Sequence, residues 1–148
     1  MDGRQAQLVT SSYQALSPEL PRVVERFYIR LFEAAPPVRA LFPADMSKLR
    51  GHLAASIAIM ARNAGQLAVM APSLRDLGRR HAAYGATEDH YPVVAQVLLS
   101  TLADAAGDRW TPETAAAWSQ LVHAVADEMM AGARLAANAP SQNISAKR

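Results

Sequence analysis

The sequence predicts an all-α domain. Apolar residues recur three and four apart along most of the 148 residues, and no period-2 alternation persists. Alanine is abundant and β-branched runs are short, which favours helix over strand. Prolines and glycines punctuate the apolar stretches where helices start and stop.

The first helix covers about 5–16. "SPEL" supplies the next start, with Ser17 as N-cap, Pro18 at the first helical position and Glu19 near the positive end. That helix carries Leu20, Val24, Phe27 and Leu31 on one stripe, with Tyr28 at its edge. Pro36-Pro37 ends it and forces a corner. A connector holds Leu41, Phe42 and Pro43. The next helix begins near Met46 or Ser47, faces inward with Leu49, Leu53, Ile57 and Met60, and fades at "RNAGQ". Pro72 opens a helix with Leu74, Leu77, His81 and Tyr84 on one side, closed by Gly85. A long helix runs from Tyr91 to Ala106, with Val94, Leu98 and Leu102 on its face and Pro92 near its start. Gly107-Asp108 breaks the chain. Thr111 caps and Pro112 opens the last helix, whose face is Trp118, Leu121, Val122, Val125 and Met129. Residues 1–137 are therefore expected to form a single domain of about six to eight helices at steep crossing angles. The polar segment 138–148 has no periodic face and is expected to be disordered.

Composition narrows the function classes. Fifteen basic residues against thirteen acidic ones, scattered along the chain, leave no basic stripe for a nucleic acid. The absence of cysteine removes disulfides, zinc–thiolate sites, iron–sulfur clusters and thiol nucleophiles together. No apolar run approaches the roughly 18 residues of a membrane span, and the start lacks the apolar centre of a signal peptide. The expectation is a soluble, cytoplasmic protein with no membrane or nucleic-acid partner.

The four histidines, His52, His81, His90 and His123, stand apart in sequence. No pair has the spacing of a local zinc site, no serine–histidine–aspartate order suggests a triad, and no glycine-rich phosphate loop exists. One chemistry needs only a lone histidine: a planar cofactor that brings its own equatorial ligands and takes one axial imidazole. In "LRDLGRRHAAYG" (74–85), His81 ends an apolar face. On pattern alone it is either a satisfied core histidine or such a ligand.

Three further segments bear on that choice. "RFYIRLFEAAPPVRALFP" (26–43), "LGRRHAAYGATEDHYPVV" (77–94) and "WTPETAAAWSQL" (110–121) occur in an order and spacing that resemble the globin family. The likeness spans about 5–135. It resembles bacterial single-domain globins and the globin part of flavohaemoglobins, and the chain is also similar to neuroglobin. The resemblance implies a three-over-three helical sandwich around haem b (iron protoporphyrin IX). It makes His81 the proximal iron ligand and Phe42 the corner aromatic against the porphyrin. Tyr28 takes the distal position on the family's B helix, Leu49 the distal position on its E helix, and Leu53 lies over the iron. Leu77, Tyr91, Val94, Leu98 and Val125 complete the haem surroundings.

The chain also departs from its relatives. Leu49 stands where they carry a glutamine or histidine, so Tyr28 is left as the polar group over a diatomic ligand. His52, one turn on, is expected at the rim beside a haem propionate, with ligation of iron from the distal side as the alternative. Tyr91 matches a tyrosine that flavohaemoglobin-like globins pair with a glutamate, but the glutamate position is Ala133. A peroxidase-like relay is therefore incomplete. His90 and His123 are expected to have no haem role, and Trp118 is expected in the core.

The resemblance implies reversible binding of O2, CO and NO, for storage or gas handling, by a monomer or weak homodimer. The alternatives are nitric oxide dioxygenation with an external reductase, since no reductase sequence is present in these residues, and haem-based redox or gas sensing.

Overall fold

The computed structural model describes residues 1–138. Six α-helices make up the domain: α1 (Gly3–Leu16), α2 (Leu20–Ala34), α3 (Ser47–Arg62), α4 (Leu67–Ala83), α5 (His90–Ala106) and α6 (Pro112–Ala137). Four short 3-10 turns join them, at Ser17–Glu19, Pro36–Leu41, Ala64–Gln66 and Gly107–Arg109. No strand occurs among the described residues. Most of the expected segment 138–148 lies outside them.

The helix ends follow from local chemistry. Asp2 and Gln5 form a reciprocal capping box at α1, with the Asp2 side chain accepting from the Gln5 amide at 2.8 Å. The Thr111 hydroxyl accepts from the Thr114 amide at 3.1 Å and starts α6. Gly85 after α4 and Gly107 after α5 have φ of +108° and +58°, a conformation that glycine adopts without a Cβ penalty.

Two boundaries differ from the sequence reading. Ser17 does not cap α2. The backbone runs on in helical geometry at Ser17, and its hydroxyl donates back to the Gln14 carbonyl at 3.0 Å. A 3-10 turn takes up Ser17–Glu19, and α2 starts at Leu20 with Pro21 in its opening turn. Likewise Pro72 does not open α4 but lies inside it. Pro72 is exposed, so its ring forces nothing in the core apart, and it forfeits one ladder bond.

Helix α1 packs on α6 and α3, α2 on α5 and α3, α5 on α6, and α4 most extensively on α6. The chain bends by 69° between α3 and the helical stretch that contains α4. The core gathers Val9, Leu16, Val24, Leu31, Ile57, Leu102 and Leu121 around Trp118, each at most 1% exposed. Trp118 donates its indole N–H to the Ser12 hydroxyl at 2.7 Å and stacks on Trp110. A buried indole is thereby satisfied, in line with its expected packing role.

Candidate functional site

Helix α4 carries the histidine on which the sequence reading turned. Leu74 on the same side is buried and Leu77 is half-buried, but His81 is exposed. This removes the core-histidine alternative. The ring is not loose: His81 Nδ1 lies 2.9 Å from the Leu77 carbonyl oxygen. A carbonyl only accepts, so Nδ1 carries the proton and Nε2 keeps its lone pair. The flanking Arg79 and Arg80 turn to Asp76 on the same helix, and the hydrogen bond from Arg79 holds the Asp76 carboxyl below its ordinary range.

The other histidines sit differently. His90 is the first residue of α5, and its Nδ1 accepts from the Thr87 amide at 3.0 Å. Its lone pair is therefore already engaged. His123 is exposed and donates from Nδ1 to the Ser119 carbonyl at 2.7 Å. It lines a cleft with Glu88, Tyr91, Asp127 and Arg134. His52 is exposed near the start of α3.

An aromatic wall forms where α2 meets the proline corner. Tyr28 and Phe42 stand edge to face with ring centroids 5.7 Å apart, and Phe32 contacts both, at 6.0 Å and 5.3 Å. All three are only partly buried, whereas Phe27 behind them is 3% exposed. Burial raises the Tyr28 pKa, so its phenol keeps its proton at neutral pH. Leu49 and Leu53 on α3, Leu77 on α4 and Val94 on α5 are also partly covered, while Leu98 and Val125 are buried in the core. The turn after α4 reaches the corner: a Cβ built on Gly85 would lie 3.0 Å from a methyl group of Leu41, the residue before Phe42.

Two members of this wall were missed in the sequence. Phe32 lies four residues beyond Tyr28, a helical neighbour spacing that could have found it. Arg39 places its guanidinium 5.0 Å from the Phe32 ring centroid and donates to the carbonyls of Phe42 and Pro43 at 3.2 Å and 2.9 Å. It fixes the corner that presents Phe42. No local pattern marks it in the sequence.

Tyr91 lines the cleft of about 310 Å³ that also holds His123. Burial, then the nearby Glu88 charge, raises its pKa. Glu88 is itself held by Arg134, with paired contacts of 2.7 Å. The carboxylate beside Tyr91 thus comes from the loop before α5 and is already engaged, while Ala133 on α6 offers none.

The donor set and the wall fit one kind of cofactor. Among the described residues no three His, Asp or Glu side chains converge on a metal-sized site. His81 offers a single free nitrogen, and the side chains around the corner offer uncovered apolar surface. A flat, largely apolar macrocycle with its own metal needs these two features.

The globin family model matches residues 25–129. The chain belongs to the globin family. An anaerobic nitrite reductase of Oryza sativa subsp. indica is 33% identical over 135 residues, covering 84% of this chain and 93% of that protein. A flavohemoprotein of Bacillus subtilis is 28% identical over 130 residues, covering 86% of this chain but 33% of the longer protein. A bacterial globin structure from Campylobacter jejuni superposes with a TM-score of 0.82 at 20% identity, covering 93% of this chain and all of that one. The expected globin architecture is therefore present, and membership supports haem and gas binding in general terms.

Proposed function

We propose that this globin holds haem b with His81 as the proximal ligand and binds O2, CO and NO reversibly. One observation carries the reading. His81 is exposed yet oriented by Leu77, with its Nε2 lone pair free, on the helix whose following turn meets the Phe42 corner. Haem, when bound, supplies the iron at which diatomic gases bind.

The chain's own residues supply the rest. His81 offers Nε2 as the axial donor, and its Nδ1–H bond to Leu77 keeps the ring from turning. Phe42 packs on the macrocycle, its own position held by Arg39 and Phe32. Leu53, Leu77 and Val94 would line the macrocycle, with Leu98 and Val125 behind them in the core, and Tyr91 would reach it only from the cleft that it shares with His123. Tyr28, a protonated phenol, donates a hydrogen bond to a diatomic ligand. Leu49 adds none, so the distal side holds one donor. His52, exposed near the start of α3, would sit at the rim against the acidic edge of the macrocycle. We place the protein in the cytoplasm as a monomer or weak homodimer.

Titration of purified protein with haem tests the proposal. One equivalent is expected to give a sharp Soret band, and the reduced pigment is expected to take up and release O2. Protein that leaves the spectrum of free haem unchanged would overturn it.

A second reading is nitric oxide dioxygenation. The flavohemoprotein relative, whose matched part is its globin-sized third, favours a redox use of this domain. It requires a reductase to return the iron to the ferrous state. Consumption of NO with nitrate formed, only when a reductase is supplied, would support it.

A further inference from the structure

Helices α4 and α6 touch backbone to backbone. A Cβ added to Gly78 would lie 1.8 Å from the Met129 carbonyl oxygen, and one added to Gly132 would lie 1.9 Å from the Arg75 carbonyl oxygen. The contact is reciprocal: one turn of α4, Arg75 to Gly78, lies against one turn of α6, Met129 to Gly132. Both glycines are buried. Any side chain larger than hydrogen at either position forces the helices apart, because ordinary Cβ contacts begin at 3.4 Å.

The crossing lies immediately before the histidine. Leu77, whose carbonyl orients His81, precedes Gly78, and His81 follows it by three residues. A second tie holds the chain beyond the histidine, where Arg134 of α6 grips both Glu88 oxygens at 2.7 Å. A third, Arg75 to Glu128 at 2.9 Å, flanks the crossing itself. Helix α6 therefore grips the segment that carries His81 on both sides of it.

We infer that Gly78 and Gly132 are positioning residues that set where His81 presents Nε2, with the Glu88–Arg134 pair fixing the far side. The inference rests on the haem reading for its consequence at iron but not for the seating itself. A methyl group at Gly78 would have to push α4 and α6 apart, because its 1.8 Å approach to the Met129 carbonyl lies far below the 3.0 Å that real contacts respect and a close-packed interface cannot absorb it. The displacement would carry the Leu77 carbonyl and the His81 ring together.

The test compares wild type with Gly78→Ala, Gly132→Ala and Leu16→Ala. Leu16→Ala is a control that opens a core cavity from α1, a helix that packs on α6 and α3 rather than on α4. In haem-loaded ferrous protein, resonance Raman reads the iron–histidine stretching band. In haem-free protein, NMR reads the His81 ring resonances. Both glycine variants are expected to displace the band and the ring resonances, while Leu16→Ala lowers the melting temperature and leaves both in place. Signals at the wild-type position in the glycine variants, or an equal displacement in Leu16→Ala, would overturn the inference. If neither glycine variant folds, Glu88→Gln carries the test, since breaking an exposed ion pair leaves the fold intact. Displaced or broadened His81 signals support the inference, and wild-type signals overturn it. Wild-type protein that binds no haem would reject the haem reading, while the NMR comparison would still decide the seating.

Discussion

His81 Nδ1 donates to the Leu77 carbonyl across 2.9 Å, one turn back along α4. In the neutral imidazole this bond puts the proton on Nδ1, aims the ring and leaves the Nε2 lone pair free. It also separates His81 from His90, whose Nδ1 lone pair is spent on the Thr87 amide. His123 makes the same bond, to the Ser119 carbonyl at 2.7 Å, and differs by its place on α6 in the cleft with Tyr91 and Arg134.

Under the proposed haem reading, Tyr28 is the one hydrogen-bond donor on the distal side. Replacing it with phenylalanine is expected to speed O2 dissociation about tenfold, the worth of one hydrogen bond of about 1.4 kcal/mol. Stopped-flow ligand replacement measures this. An unchanged rate would move the stabilising contact elsewhere.

His52 is exposed near the start of α3. The ferrous spectrum of haem-loaded His52→Ala is therefore expected to match wild type. A change from six-coordinate to five-coordinate bands would instead put the His52 imidazole on the iron.

Trp118 is 1% exposed, and its N–H bond to Ser12 joins α6 to α1. Trp118→Phe removes a buried hydrogen bond and leaves a cavity beside Trp110. The expected loss is about 2–4 kcal/mol of unfolding free energy by urea titration. A loss below about 1 kcal/mol would mean that the core closes over the gap.

Glu88 has its pKa lowered from 4.5, chiefly by the hydrogen bond from Arg134. A carboxylate lowered on folding stabilises the native state above its unfolded value, and that share is lost as pH falls through the folded value. Wild type is therefore expected to exceed Glu88→Gln in stability at neutral pH. The gap should shrink as pH drops below about 4.5. The pair is solvent-exposed, so the effect is small. Denaturation midpoints of both proteins across pH 3 to 7 would show the trend, and a gap independent of pH would contradict it.

Much of this was legible in the sequence because helices announce themselves locally. Leu20, Val24, Phe27 and Leu31 share a stripe, and three of the α-helix boundaries, Pro36-Pro37, Gly107 and Thr111-Pro112, fall where their backbone chemistry requires. Ser17 and Pro72 misled for a related reason. Each is a start signal in isolation, but the chain around it was already helical and simply continued. His81 was ambiguous because a histidine ending an apolar stripe looks the same buried or exposed. Only the tertiary arrangement shows it uncovered. The Arg39 clamp on the corner, the Glu88–Arg134 tie and the Gly78–Gly132 crossing join residues far apart in sequence or depend on main-chain approach, so no local periodicity carries them.

The most direct test of the account is the visible spectrum of haem-loaded ferrous protein, with and without CO, in wild type and His81→Gly. Wild type is expected to show a histidine-ligated ferrous spectrum that converts fully on CO addition. His81→Gly should lose that spectrum and regain it when free imidazole is added to fill the vacated position. A His81→Gly spectrum identical to wild type without imidazole would contradict the assignment of His81 as the proximal ligand.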